Sequence, residues 1–310
     1  MIHPVRTISV VTALFVLLAA SCGGTPTDDG LSSGGRPYAT GHVAFASISA
    51  GFGYTCGVKT DGSIACWGYN IDGEGTPPDG TFLSISAGRL DTCGVKTDST
   101  VACWGYNGSG LATPPSGTFL SVAMGELHGC AVQTDGTVLC WGSNTVSGSG
   151  DDYVGQATPP DGTFTAVSAG QWHTCGVKTD GSVACWGTNA YGEATPPDGT
   201  FTAVSAGGQH ACGVKTDGTV ACWGGNFYDQ ATPPDGTFTA VSAGNWHTCG
   251  VKTNGSVACW GSVGSSDGQS WPPPGRFASV SAGARHTCAV KTDSTVVCWG
   301  LNSGGEAMPP

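Results

Sequence analysis

The chain has 310 residues, of which 39% are hydrophobic and only 11% are charged, and its formal net charge at pH 7 is -11. So low a charged fraction argues against a disordered polyelectrolyte and against a bundle of salt-bridged helices. The negative charge also makes nucleic acid a poor candidate partner, because its phosphates would repel the protein.

The amino terminus reads as an export signal. One positive charge precedes an apolar run, residues 8–20, that is shorter than the roughly 20 residues needed to span a bilayer. The run ends in L-A-A-S-C, which resembles the lipobox of bacterial lipoproteins, with its leucine one position early. We expect residues 1–21 to be a signal peptide and residues 22–40 to hold a lipidated Cys22 and a flexible tether. Ordinary signal-peptidase cleavage, with Cys22 left free or lost, stays open as the alternative.

The remainder of the chain, residues 41–310, consists of seven copies of one repeat. A Trp follows the second cysteine of every copy, in steps of 37, 37, 45, 37, 37 and 39 residues, and a Phe opens every copy in the same steps. Self-similarity at such a period indicates a repeat architecture. The residues are Phe45, Phe82, Phe119, Phe164, Phe201, Phe238 and Phe277, with Trp67, Trp104, Trp141, Trp186, Trp223, Trp260 and Trp299.

Each copy predicts three short strands. The segment from Phe164 to Ala169 alternates with a period of two, and the segments H-T-C-G-V-K and S-V-A-C-W-G flank a T-D-G hairpin. Three such strands bury both faces only if sheets pack around a ring, so we predict an all-β, seven-bladed β-propeller with about three strands per blade. A linear β-solenoid is the rival, but it would have atypical capping units at both ends. Residues near Arg36 to Val43 are expected to add a strand to the last blade.

Fourteen cysteines fall in pairs ten residues apart, two in each copy. A hairpin centred on Asp180 places Cys175 opposite Cys185, and directly opposed residues are close enough for a disulfide. Zinc, the competing explanation, requires C-x-x-C knuckles and four ligands per ion, so no metal or cofactor is predicted. The expected pairs are Cys56–Cys66, Cys93–Cys103, Cys130–Cys140, Cys175–Cys185, Cys212–Cys222, Cys249–Cys259 and Cys288–Cys298.

The repeat G-x-x-H-T-x-x-V-x-x-D-G-x-V-x-x-W-G-x-N-x-x-G-E/Q resembles that of the regulator of chromosome condensation superfamily. Its short period and its A-T-P-P linker are most similar to the exported bacterial branch typified by β-lactamase inhibitor protein II. The resemblance covers all seven copies and implies a seven-bladed propeller and, in that branch, a protein-binding role. Eukaryotic members act as guanine nucleotide exchange factors and bind chromatin, a role that export, acidity and disulfides argue against here.

Side chains that differ between copies are candidates for binding, because the constant ones build the scaffold. Strand order places the A-G-x-x turns and the N-x-x-G loops at one end of the ring, which we name the rim, and the T-D-G hairpins and P-P-D-G turns at the hairpin end. Aromatic and Arg side chains on an exposed rim are typical of a protein-binding hot spot. The predicted binding residues are Phe52, Tyr54, Arg89, Leu90, Asp91, Glu126, Leu127, Gln171, Trp172, Gln209, Asn245, Trp246 and Arg285 from the turns, with Tyr69, Tyr106, Tyr191, Phe227 and Tyr228 from the loops.

Five histidines share one repeat position with Tyr54 and Asp91, and the sequence predicts a structural role for them. A hydrogen bond that stabilises the turn is expected, because a metal ring would need side chains of different blades to converge on one ion. The histidines are His128, His173, His210, His247 and His286.

The sequence predicts an exported, membrane-anchored, monomeric and non-catalytic propeller that binds an extracellular or periplasmic protein through the rim. The membrane is contacted only through the lipid anchor. An extracellular enzyme acting on polysaccharide or cell wall is the alternative, with Asp91 and Glu126 as candidate carboxylates. It is disfavoured because the copies show no recurring carboxylate pair and no nucleophile elbow. A structural or adhesive surface protein is the third possibility.

Overall fold

The computed structural model describes residues 38–41, 43–146, 153–262 and 266–310. The predicted signal peptide and Cys22 lie outside these residues. After a short strand β1 (Ala39–Thr40), the strands follow in groups of three, and no described helix is long and apolar enough to cross a bilayer. The groups are β2–β4 (Phe45–Ala50, Tyr54–Lys59, Ile64–Gly68), β5–β7 (Phe82–Ala87, Asp91–Lys96, Val101–Gly105), β8–β10 (Phe119–Met124, His128–Gln133, Val138–Gly142), β11–β13 (Phe164–Ala169, His173–Lys178, Val183–Gly187), β14–β16 (Phe201–Ala206, His210–Lys215, Val220–Gly224), β17–β19 (Phe238–Ala243, His247–Lys252, Val257–Gly261) and β20–β22 (Phe277–Ala282, His286–Lys291, Val296–Gly300).

Each group of three strands is one antiparallel sheet, and its hairpin register is the predicted one. In the fourth blade, Cys175 pairs with Cys185 across β12 and β13. The turn between them is closed by Asp180, whose Oδ1 accepts the amide N–H of Ser182 at 2.9 Å and its hydroxyl at 2.7 Å. All seven cysteine pairs form disulfides within their own blades, which confirms the predicted pairing.

The seven sheets close into a ring. Strand β1 pairs with β22 at the outer edge of the seventh blade, as expected for the added strand, with Ala39 opposite Cys298. The seventh blade in turn packs against the first, where the amide N–H of Ala50 donates to Ser281 Oγ at 2.9 Å. The seven-bladed β-propeller is therefore confirmed, and an open solenoid is excluded.

The repeated Phe and Trp side chains fill the junctions between blades. Phe164 and Trp186 of the fourth blade meet edge to face, with centroids 6.0 Å apart, and pack on Cys130 and Val132 of the third blade. The indole N–H of Trp186 also donates to the carbonyl of Gln156 at 2.9 Å. Trp104, Trp141, Trp223 and Trp299 make the same bond to the preceding blade, so these tryptophans also hold the loops that form the rim.

A second set of hydrogen bonds joins the blades through the shared histidine position. His128 Nε2 lies 2.7 Å from the hydroxyl of Thr174 in the next blade, and that hydroxyl lies 3.1 Å from the carbonyl of Gln156. Because the threonine donates its only hydrogen to the carbonyl, the imidazole carries its hydrogen on Nε2. Burial lowers the pKa of His128 to about 3, so the ring is neutral. The predicted hydrogen-bonding role holds, but the partner is the next blade rather than the local turn.

At two junctions the next blade has no threonine at this position. One of these two junctions contains Asp91, a residue of the predicted binding set. The equivalent position is Ala211 in the fifth blade and Gly129 in the third, so His173 Nε2 has no partner and the Asp91 carboxylate has none in the next blade. Tyr54 and Asp91 occupy the histidine position and are 1% and 0% exposed. Their assignment to the exposed rim was therefore wrong, because their side chains point between sheets.

Ala211→Thr is expected to stabilise the protein by about 1 kcal/mol, because the new hydroxyl can accept from His173 and donate to the carbonyl of Glu193. Chemical unfolding monitored by tryptophan fluorescence measures the change. Ala211→Val is the matched control, since it has nearly the same shape without the hydroxyl. A gain in stability that is equal in both variants would attribute the effect to packing and contradict the predicted hydrogen bond.

Asp91→Asn is expected to stabilise the protein at neutral and alkaline pH. Desolvation by burial raises the pKa of Asp91 from 3.8 to about 7. Below pH 4 the group is protonated in both folded and unfolded chains, and the free energy of unfolding falls as pH rises from about 4 to about 7. The free energy of unfolding of the variant does not fall in this way, so at pH 8 it should exceed that of the wild type by on the order of 2–4 kcal/mol.

The matched control is Asp61→Asn. Asp61 lies in an exposed hairpin, and the Ser63 hydroxyl and amide lower its pKa. Asn254 accepts the same two bonds in the sixth blade, so this variant keeps the turn. Its pH trend should have the opposite sign and lie at lower pH: the wild type gains relative to the variant as pH rises to the unfolded pKa of 3.8, and the difference stays constant above it. Stability differences for Asp91→Asn that do not change with pH would refute the buried ionisation.

Candidate functional site

The rim is built on a band of backbone hydrogen bonds that joins neighbouring blades at six of the seven junctions. The N–H of Gln171, in the turn between β11 and β12, donates to the carbonyl of Gly207 in the next blade at 3.1 Å. The turns that begin at residues 51, 125, 207, 244 and 283 make the same bond. A Cβ on Gly207 would lie under 3.0 Å from the carbonyl of Gly244, so glycine is required for this close approach. The variable side chains therefore project from a rigid base.

The band surrounds a cavity of about 120 Å³ at the mouth of the central channel. Its wall consists mostly of Ala and Gly from the ends of the first strands, with Met124 as the one large side chain of that strand position. Phe52, Arg89, Glu126 and Gln171 stand around the opening. Residues from separate blades thus lie around one central area.

Charged and aromatic side chains of the first three blades are joined across the rim. Arg89 forms an ion pair with Glu126, with Nη1 and Oε1 2.6 Å apart. The same guanidinium lies over the Phe52 ring, 5.6 Å from its centroid. Phe52 remains 50% exposed. These contacts order three long side chains before any partner arrives, which lowers the entropy cost of binding.

Aromatic side chains of the fourth, fifth and sixth blades form a second group, which we name the aromatic arc: Tyr191, Phe227, Tyr228 and Trp246. Tyr191 and Phe227 meet edge to face at 5.1 Å, and Tyr228 and Trp246 do so at 5.5 Å. Each pair joins neighbouring blades. Tyr191, Phe227 and Tyr228 are 48%, 61% and 49% exposed, so the arc is a contiguous apolar surface available to a partner.

The other predicted residues lie on the same rim with differing exposure. Tyr69 and Tyr106 are exposed, and so is Arg285, whose Nη2 lies 2.6 Å from Asp267 Oδ2. The half-buried ones are Leu90, Leu127, Trp172, Gln209 and Asn245. The structure brings these side chains to one end of the ring, and their role in binding stays a prediction.

Several exposed apolar residues lie outside the predicted binding set. Ile71 is 80% exposed in the loop that carries Tyr69, and Tyr153 is 65% exposed after the insertion in the third blade. Both stand at positions that differ between copies, the signal that selected the other rim residues. Leu83 and Leu120, 60% and 58% exposed, lie at the hairpin end, where only these two copies carry Leu after the opening Phe.

The carboxylates considered for catalysis do not form an accessible pair. Asp91 is buried between blades, and Glu126 is bonded to Arg89. In the described part of the chain, no three His, Cys, Asp or Glu side chains cluster as a metal ion would require. Asp91 and Glu126 therefore do not form a paired acid and base on the rim.

A family model supports the repeat assignment. The model, described as the regulator of chromosome condensation (RCC1) repeat, matches residues 45–74, 119–156, 164–193, 201–230, 238–269 and 277–306. These six segments cover every blade except the second and more than half of the chain. A comparison with curated proteins finds no match.

Solved structures show the same ring architecture. The ectodomain of the receptor kinase CR4 from Physcomitrella patens has a TM-score of 0.68 and 23% identity, over 83% of this chain and 74% of its own. The CRINKLY WD40 ectodomain of the receptor kinase ACR4 from Arabidopsis thaliana gives 0.70 and 29%, over 86% and 99%. Prp20p from Saccharomyces cerevisiae gives 0.66 and 15%, over 85% and 83%. With six matched segments and this shared fold, the chain belongs to the family of RCC1-repeat β-propellers.

Proposed function

We propose that this protein is an exported, lipid-anchored and non-catalytic propeller that binds another protein through its rim. The observation that carries the proposal is the aromatic arc, together with Phe52 and Arg89, on a backbone band that is already ordered. Protein interfaces concentrate their binding energy in aromatic and Arg side chains on preorganised surfaces. The ring supplies the rigid base, and only the side chains that differ between blades reach the partner.

Export is supported by the seven disulfides, because such bonds persist in oxidising compartments outside the cytosol. Two of the similar structures are ectodomains of receptor kinases, which is consistent with an extracellular setting. The sequence around Cys22 supplies the argument for a lipid anchor. A tether of residues 23–37 would let the propeller stand away from the membrane surface.

A binding role agrees with what is recorded for one structural neighbour. The structure of Prp20p was described together with its binding to Gsp1p and histones. At 15% identity that likeness concerns the fold, so it supports the use of a propeller surface for protein contacts and no particular partner. The disfavoured nucleotide exchange activity finds no support in the rim residues of this chain.

Combined Ala substitution of Phe52, Phe227 and Tyr228 is expected to abolish capture of the partner from the native extracellular milieu. Each is a large exposed side chain, and hot-spot truncations cost about 2 kcal/mol or more apiece, so the affinity should fall by at least about 100-fold. Leu83→Ala with Leu120→Ala is the matched control, because it removes similarly exposed apolar side chains from the hairpin end. Unchanged thermal melting of both proteins verifies folding. Capture that is lost only in the leucine variant would contradict the proposal.

The mature protein is expected to begin at Cys22 and to carry added acyl mass. Intact mass spectrometry of the protein extracted from membranes measures this. Cys22→Ser should lack the added mass and appear in the soluble fraction, because one thioether-linked lipid group and the acyl chain on the amino terminus together give stable anchoring. A wild-type mature protein without added mass at Cys22 would refute the anchor while leaving the rim proposal intact.

A further inference from the structure

The cations of the described residues are concentrated at the hairpin end. Every described lysine ends the second strand of its blade, on the side of the T-D-G hairpin, and Arg276 lies beside the same end. The rim has only Arg89 and Arg285 among these residues, and each is bonded to a carboxylate. The lysines are Lys59, Lys96, Lys178, Lys215, Lys252 and Lys291.

The rim carries more negative charges than positive ones. Asp72 and Asp229 are exposed in its loops, and neither forms an ion pair with a described residue. Two buried carboxylates hold the rim loops by accepting backbone N–H groups. Glu74 Oε2 accepts the N–H of Asp72 at 2.8 Å, and Glu193 Oε2 accepts the N–H of Tyr191 at 2.7 Å. The rim therefore attracts cations, and the attraction weakens as salt screens it.

The aromatic arc suits cationic side chains as well. Asp229 follows Tyr228 directly in the loop of the fifth blade. Aromatic faces attract ammonium and guanidinium groups, and a nearby carboxylate adds to this attraction. The protein makes such contacts itself: Arg89 lies over Phe52, and Lys252 lies 5.6 Å from the centroid of Phe238.

We propose that the partner presents a cationic protein surface, whose Arg and Lys side chains bind the aromatic arc and the neighbouring Asp229. This inference rests on the proposed function and specifies the chemistry of the partner. An oligosaccharide could also stack on exposed aromatic rings. It would gain nothing from the charge of the exposed rim carboxylates Asp72 and Asp229, which is why the charge of the rim favours a basic protein.

The test uses a synthetic peptide of alternating Arg and Gly, with two matched peptides in which Gln or Glu replaces Arg. Titrations followed by NMR of the isotope-labelled full propeller report both affinity and location. We expect only the Arg peptide to bind saturably, with shifts at Tyr191, Phe227, Tyr228 and Trp246. The affinity should fall about tenfold or more when salt is raised from low to high concentration.

Phe227→Ala with Asp229→Asn should weaken binding of the Arg peptide about tenfold. Asn tolerates the positive φ of 62° at residue 229, so the loop should keep its shape. Leu120→Ala with Asp235→Asn is the matched control at the hairpin end, since it removes the same two kinds of group from exposed positions. That control should leave the affinity unchanged.

Three results would overturn the inference: no saturable binding of the Arg peptide, equal binding of the Gln peptide, or binding that the rim variant does not weaken. Saturable binding of an N-acetylglucosamine oligomer to the arc, without binding of the Arg peptide, would replace it with a carbohydrate partner. Failure of the inference is separable from failure of the proposed function. A natural partner whose capture needs Phe52, Phe227 and Tyr228, but is unaffected by Asp229→Asn and by high salt, would keep the function and refute the cationic surface.

Discussion

The junction between neighbouring blades is the constraint on which this structure depends. A sheet of three short strands cannot bury both faces by itself, so each blade is stable only against the blades on either side. The apolar part of each junction is the Phe and Trp pair seated on the preceding disulfide, as Phe164 and Trp186 are on Cys130. The polar part consists of two hydrogen bonds, one from the Trp indole and one from the Thr hydroxyl, to a loop carbonyl of the preceding blade. Strand β1 completes the outer edge of the seventh blade.

The same junctions explain why the rim can vary without loss of the fold. The turn residues bond to the next blade through backbone atoms, as Gln171 does to Gly207, so the identity of their side chains does not enter the contact. The loops are held by the carbonyls that Trp and Thr use and by inward carboxylates such as Glu193. Side chains such as Phe227 and Tyr228 therefore take no part in the hydrogen bonds that hold the turns and loops. Because backbone atoms hold the turns while the side chains vary, one scaffold can present different binding surfaces.

Much of this arrangement was predictable because the chain holds seven copies of one repeat, which can be compared with one another. The constant spacing of Cys175 and Cys185 fixed the hairpin register, and the alternation within each copy fixed the strands. Variation between copies did not distinguish an exposed residue from a buried one. Asp91 has no partner in the next blade because Gly129 stands in place of the usual threonine, as Ala211 does for His173, and this cause lies in another blade and is invisible within one repeat. Leu83 and Leu120 lie outside the rim turns and loops from which the binding residues were predicted.

The charge asymmetry between the two ends follows from the scaffold rather than from a separate selection of surface residues. In every blade except the third, a lysine ends the second strand and lies near the Phe that opens its own blade, as Lys96 does near Phe82 and Lys215 near Phe201. Its aliphatic stem and its ammonium group both suit that position. The repeat thereby assigns most cations to the hairpin end before any partner is considered. Three rim loops bind their own backbone amides through the carboxylates of Glu74, Glu193 and Glu306, while the fifth blade uses Gln230. The rim of this protein is therefore acidic through these carboxylates, because its two arginines are already paired.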